Sequence, residues 1–99
     1  MAVKIIWTKT AALQRRKILS YWKKRNKSAE YPKKLVSEIS ERVQFLVNNP
    51  ETYIKTEFPD TRASTLGHYN IIYKITPSEL IIVAFWDNRR DPKRLSKIL

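Results

Sequence analysis

The chain has 99 residues, 20 Lys+Arg against 9 Asp+Glu, a formal net charge of +11, one Gly and no Cys. That length allows a single domain, 1–99, with a modest core, and the missing cysteine excludes a disulfide scaffold, a thiol nucleophile and a zinc-thiolate cluster. With 42% hydrophobic and 29% charged residues, the composition is that of a folded domain, not a disordered chain.

Val3, Ile5 and Trp7 alternate with Lys4 and Ile6, which predicts a first strand. Thr8 or Thr10 can cap the helix that follows, where Ala11, Ala12, Ile18, Leu19 and Trp22 fall on one stripe before Asn26-Lys27-Ser28 interrupts. Ser28 can cap a second helix, with Pro32 tolerated in its first turn. Along that helix Leu35, Val36, Ile39, Val43, Leu46 and Val47 share a face, and Asn48-Asn49-Pro50 ends it. A polar stretch over 51–60 crosses to a strand near Arg62–Leu66. Gly67 then marks a tight turn that needs a positive φ. From His68 to Ile75 the alternation is strict, with Tyr69, Ile71, Tyr73 and Ile75 inward and His68, Asn70, Ile72 and Lys74 outward. Thr76-Pro77-Ser78-Glu79 makes another turn. Leu80–Trp86 is apolar on both faces, as in a strand covered on each side. The order βααβββ predicts an α+β fold of two layers, a helical hairpin packed on an antiparallel sheet. A charged tail from Asp87 onward leaves the sheet.

The charge divides unevenly along these elements. Residues 1–49 hold 12 Lys+Arg and 3 acids, whereas residues 50–99 hold 8 and 6. Such a surface suits nucleic acid, an anionic membrane or an acidic protein, or it serves only as a solvated face. The longest apolar run, Leu80–Trp86, is too short to span a bilayer, and Met1-Ala2-Val3 has no signal-peptide layout, so a cytoplasmic protein is expected.

The common enzyme motifs are missing. One glycine cannot build a phosphate-cradling loop, and one histidine without cysteine leaves no metal cage, so no cofactor and no metal is expected. What remains is basic and aromatic: Arg62, His68, Tyr69, Tyr73, Lys74, Arg89, Arg90 and Lys93. Such groups bind phosphates and stack bases. They can also cleave RNA without a metal, since attack by a 2′-hydroxyl needs only a proton acceptor, a proton donor and cations. Each has a plainer reading. Tyr69 and Tyr73 fall on the core side, His68 is a turn residue, Arg62 and Lys74 suit a solvated strand, and Arg89 and Arg90 can pair with Asp87 or Asp91.

The order βααβββ, the spacing Phe58-Pro59-x-x-Arg62, the segment Gly67-His68-Tyr69-Asn70-Ile71-Ile72-Tyr73-Lys74-Ile75 and the run from Ile82 to Pro92 ending Arg89-Arg90-Asp91-Pro92 together resemble the RelE/ParE superfamily of toxins from type II toxin-antitoxin modules. The resemblance covers nearly the whole chain. It implies a growth-arresting toxin, of the kind that stabilises plasmids, held inactive by a cognate antitoxin whose acidic C-terminal segment wraps it. RelE-like members are RNA-binding, metal-independent endoribonucleases that cut mRNA on the ribosome. On that reading, taken first, Arg62, Lys74, Arg89 and Arg90 neutralise phosphate and His68 carries a proton. ParE-like members inhibit DNA gyrase by protein binding without catalysis, which is the alternative. The chain departs from the nuclease pattern at Asp87, where many relatives carry His, at Asn70, where an Arg is common, and in lacking any tyrosine after Tyr73.

Overall fold

The computed structural model describes residues 3–26, 30–49, 54–55 and 60–88. Its elements are β1 (Lys4–Trp7), α1 (Lys9–Asn26), α2 (Glu30–Asn48), β2 (Ile54–Lys55), β3 (Thr61–Leu66), β4 (Tyr69–Ile75) and β5 (Glu79–Asp87). The expected βααβββ order therefore holds, with one addition, the two-residue β2, in the stretch read as a polar crossing. No helix among the described residues is long and apolar enough to cross a membrane.

Thr8 is the hinge between the first two elements. Its hydroxyl accepts a hydrogen bond from the Ala11 amide at 3.1 Å, which satisfies one of the unpaired donors at the α1 N-terminus. At the other end of α1, Lys23, Lys24 and Arg25 occupy the last turn, where cations complement the partial negative charge of the unpaired carbonyls. The corresponding cap proposed for α2, Ser28, lies outside the described residues.

The strands form one sheet in the order β1-β5-β4-β3-β2. The β2–β3, β3–β4 and β4–β5 pairs are antiparallel, but β1 runs parallel to β5, with Ile5 opposite Leu80 and Trp7 opposite Ile82. The sheet is thus mixed, where the sequence predicts an antiparallel one. Alternation reports which face a side chain takes and says nothing of strand direction. The direction of β1 is set by the route of the helical hairpin across one face of the sheet.

That face carries the main core. Ala11 of α1 and Leu35, Ile39, Val43 and Leu46 of α2 pack on Tyr69, Ile71, Tyr73, Leu80, Ile82 and Phe85. A smaller buried cluster of Ile72, Ala84 and Trp86 lies on the opposite face, with Ala63 and Val83 against it. Burial of β5 on both faces is what its continuous apolar run predicts. A bulge makes the arrangement possible. Ile72 pairs with Ala84 but Tyr73 pairs with Ile82, so Val83 is the extra residue on β5. It shifts the parity of the strand, which places Leu80 and Ile82 on the helix side before it and Phe85 on the same side after it.

Three expectations change. Ile72, expected outward and solvent-facing, is 2% exposed within the second cluster. Ile75, expected inside, is 38% exposed at the end of β4. Val36, expected on the buried stripe of α2, is 49% exposed, because the sheet takes only the row through Leu35, Ile39, Val43 and Leu46. Gly67 does adopt the left-handed conformation, with φ +60. It occupies the first central position of the two-residue β3–β4 hairpin, as a type II′ turn requires. Asp60, just before β3, also has a positive φ of 57, which the sequence reading did not anticipate.

Candidate functional site

Of the predicted catalytic set, the three residues that the structure describes, Arg62, His68 and Lys74, are not brought together. On β3, Ser64 accepts a hydrogen bond from Arg42 Nη1 of α2 at 2.9 Å, and Leu66 packs into the main core, so even-numbered β3 residues face the helices. Arg62 shares that parity and sits opposite Tyr73. Lys74 shares the parity of Ile72 and therefore projects from the opposite face, where it is exposed. His68 is exposed in the turn after Gly67, its carbonyl accepting from the Asn88 amide at 2.8 Å. Arg89 and Arg90 lie outside the described residues, as do Phe58 and Pro59. No group of three or more potential metal ligands occurs among the described residues.

Around the hairpin, the far face carries a neutral polar ladder. The Thr65 hydroxyl donates to Asn70 Oδ1 at 2.9 Å, and Asn70 Nδ2 donates to Asn88 Oδ1 at 2.5 Å. This links β3, β4 and the end of β5 through uncharged groups. Nothing in the ladder accepts a proton from a hydroxyl at neutral pH, so it positions the strands and supplies no acid–base chemistry.

A groove of about 440 Å³ lies where α1 and α2 meet β1, lined in part by Ile5, Trp7, Arg15, Leu19, Val36 and Val43. At its edge the Arg15 guanidinium lies over the Trp7 ring, 4.1 Å from the centroid, a cation–π contact that holds the cation beside apolar surface. A groove with apolar walls and one oriented arginine suits an amphipathic segment carrying a carboxylate. The sequence reading placed Val36 on the buried stripe of α2 and Trp7 on one face of the first strand. The available signal was the width of the α2 stripe, whose six apolar residues exceed what one sheet face can cover.

The two helices are fastened to the sheet at several points that leave this groove open. Trp22 Nε1 donates to the Tyr69 hydroxyl at 2.6 Å, and Tyr31 meets Trp22 edge-on with centroids 4.9 Å apart. Arg42 Nη1 also reaches the Thr65 carbonyl at 2.5 Å, so its guanidinium ties α2 to β3 at two points. Gln14 Oε1 accepts from the Phe85 amide at 2.9 Å, beyond the point where β1 stops pairing with β5.

The family model for "ParE toxin of type II toxin-antitoxin system, parDE" matches residues 5–92. Among solved structures, the chain is similar to one described as "Chromosomal ParDE TA system from P. aeruginosa", with a TM-score of 0.73 and 24% identity over 86% of this chain and 95% of that one. That likeness concerns the fold. No curated protein matches the chain.

Proposed function

The chain belongs to the ParE toxin family of type II toxin-antitoxin systems, and from that premise we propose that it arrests growth by binding DNA gyrase through protein contacts, without catalysing a reaction. As a toxin of this kind it has a cognate antitoxin as its partner. The observation that carries the gyrase reading is the divergence of Arg62, His68 and Lys74, the predicted catalytic residues among those described. Acid–base cleavage of RNA needs a proton acceptor, a donor and phosphate-binding cations within hydrogen-bond reach of one phosphodiester. Here Arg62 and Lys74 leave the sheet on opposite faces and His68 projects from a hairpin turn. A binder needs only complementary surface, and the family that includes this chain has gyrase inhibitors among its relatives. The whole of 1–99 acts as one toxin domain in the cytoplasm, where gyrase works.

The groove between α1, α2 and β1 is the docking place for the antitoxin's C-terminal segment. Its apolar walls accept one face of an amphipathic segment, and Arg15, already oriented by Trp7, pairs with an acidic side chain of it.

Two measurements test the gyrase reading. After induction without antitoxin, pulse-labelled thymidine incorporation falls before methionine incorporation, and the purified toxin inhibits supercoiling by purified gyrase. Early loss of protein synthesis with cut mRNA, and gyrase left unaffected, overturns the proposal in favour of the nuclease.

A further inference from the structure

The helix α1 carries a charge pattern that the groove does not use. Its 18 residues include Lys9, Arg15, Arg16, Lys17, Lys23, Lys24 and Arg25 and no acid. At about 100° per residue, Lys9, Arg16, Lys17, Lys23 and Lys24 fall within about 120° of arc. The middle of that arc lies opposite Ala11, the α1 residue sealed in the core at 0% exposure. All five are exposed, and none meets a hydrogen-bond or ion-pair partner among the described residues. Two registers repeat at seven residues, Lys9/Arg16/Lys23 and Lys17/Lys24, so the cations form two rows spread over about 22 Å of helix axis. Only Leu13 and Ser20 stand between them.

We infer that this outward face of α1 is a contact surface for the phosphate backbone of double-stranded DNA, distinct from the antitoxin groove. A folded protein partner fits it poorly. Protein interfaces have apolar centres and are depleted in lysine, whereas four of these five cations are lysines and the one apolar residue in the arc is Leu13. A single strand fits poorly as well, since it is held by stacking bases on aromatic rings. The nearest ring, Tyr21, lies outside the arc, with its hydroxyl bonded by Arg25 at 3.2 Å and an edge-to-face contact with Trp22, centroids 5.2 Å apart. A duplex backbone needs only cations at fixed spacing on a rigid support, and it is bound without regard to sequence. The preference for DNA over RNA rests on the gyrase proposal, because gyrase presents a duplex to whatever docks beside it. The binding measurement itself is independent of gyrase.

The test is fluorescence anisotropy of the antitoxin-free toxin with a labelled 30-base-pair DNA of arbitrary sequence, titrated at several KCl concentrations. With five phosphates neutralised, the slope of log Kobs against log[KCl] is about −4.5. Lys23→Gln with Lys24→Gln, and separately Arg16→Gln with Lys17→Gln, each reduce its magnitude by about 2, since each lost contact removes roughly 0.9. Gln is close to Lys and Arg in helix propensity, and circular dichroism confirms that α1 persists. Lys33→Gln with Lys34→Gln on α2 leaves the slope unchanged. A slope near zero, equal losses in the α2 variant, tighter binding of a duplex RNA of the same length, or binding of polyglutamate in place of DNA overturns the inference. If DNA binding behaves as stated while gyrase is unaffected, the basic face stands and only the gyrase proposal fails.

Discussion

Replacing Gln14 with Ala removes the hydrogen-bond partner of the Phe85 backbone amide on the side of β5 that β1 does not reach, and its cost follows from the geometry. β1 covers β5 only as far as Ile82. Immediately beyond, the Thr8 amide donates to the Ile82 carbonyl at 3.0 Å and the Thr8 hydroxyl approaches the Val83 carbonyl at 3.4 Å. The next group on that side is the Phe85 amide, which points away from β4 and donates to Gln14 Oε1 at 2.9 Å. Phe85 is 1% exposed, so water cannot readily replace the amide oxygen. An orphaned buried N–H costs about 1–3 kcal/mol. For a domain of this size that lowers Tm by roughly 5–20 °C.

The assay is urea unfolding of the antitoxin-free toxin, paired with hydrogen exchange at Phe85. Gln14→Ala lowers the midpoint without changing the m-value, and exchange at the Phe85 amide accelerates. Gln14→Glu keeps an acceptor oxygen at the same reach, so it retains most of the lost stability and the slow exchange. A loss below about 0.5 kcal/mol for Gln14→Ala, the range of an ordinary surface change, would refute the reasoning by showing that β5 tolerates an open edge there. Equal losses in the Ala and Glu variants would do the same, because they would trace the effect to side-chain packing.

Two further outcomes are expected. Gly67→Ala lowers stability by about 1–2 kcal/mol in the same urea assay, purely from backbone strain at φ +60, since an added Cβ meets nothing within 4 Å; no loss would mean that the hairpin relaxes to another turn type. His68→Ala combined with Lys74→Ala leaves growth arrest intact in cells lacking the antitoxin, and loss of arrest with the fold preserved would return these residues to a chemical role.

The layered architecture was legible because its signals are local. Thr8 or Thr10 before an apolar-periodic run marks a helix start, and a lone glycine between two alternating segments, like Leu35, Ile39, Val43 and Leu46 at helical spacing, has one physical solution. Pairing direction and bulges depend on groups far apart in sequence. The parallel β1–β5 pair joins residues such as Ile5 and Leu80, and no pattern within either segment encodes it. The extra residue at Val83 was hidden for a related reason. Leu80–Trp86 is apolar at every position, so a shift of parity inside it leaves no mark on the sequence. The candidate site was less legible still. Residue type identified Arg62, His68 and Lys74 as chemically able, but whether they meet depends on β3 parity, which the contact from Arg42 to Ser64 and the packing of Leu66 reveal.

That parity is not easily undone, and it keeps Arg62 and Lys74 on opposite faces of the sheet. Bringing Arg62 to the face of Lys74 would require β3 to slip by one residue, which turns every one of its side chains to the other face. Ser64, 0% exposed, would lose the Arg42 bond and leave a guanidinium reaching for a hydroxyl that had turned away. Leu66 would leave the main core, and Ala63 would be driven into it from the second cluster. The hairpin opposes the slip as well, because Leu66 pairs with Tyr69 across a two-residue turn whose glycine must stay at its first central position. A bound substrate would have to offset all of these losses to assemble the pair. Surfaces that act without rearrangement, the groove beside Trp7 and Arg15 and the outward cations of α1, are already in place in the unbound toxin.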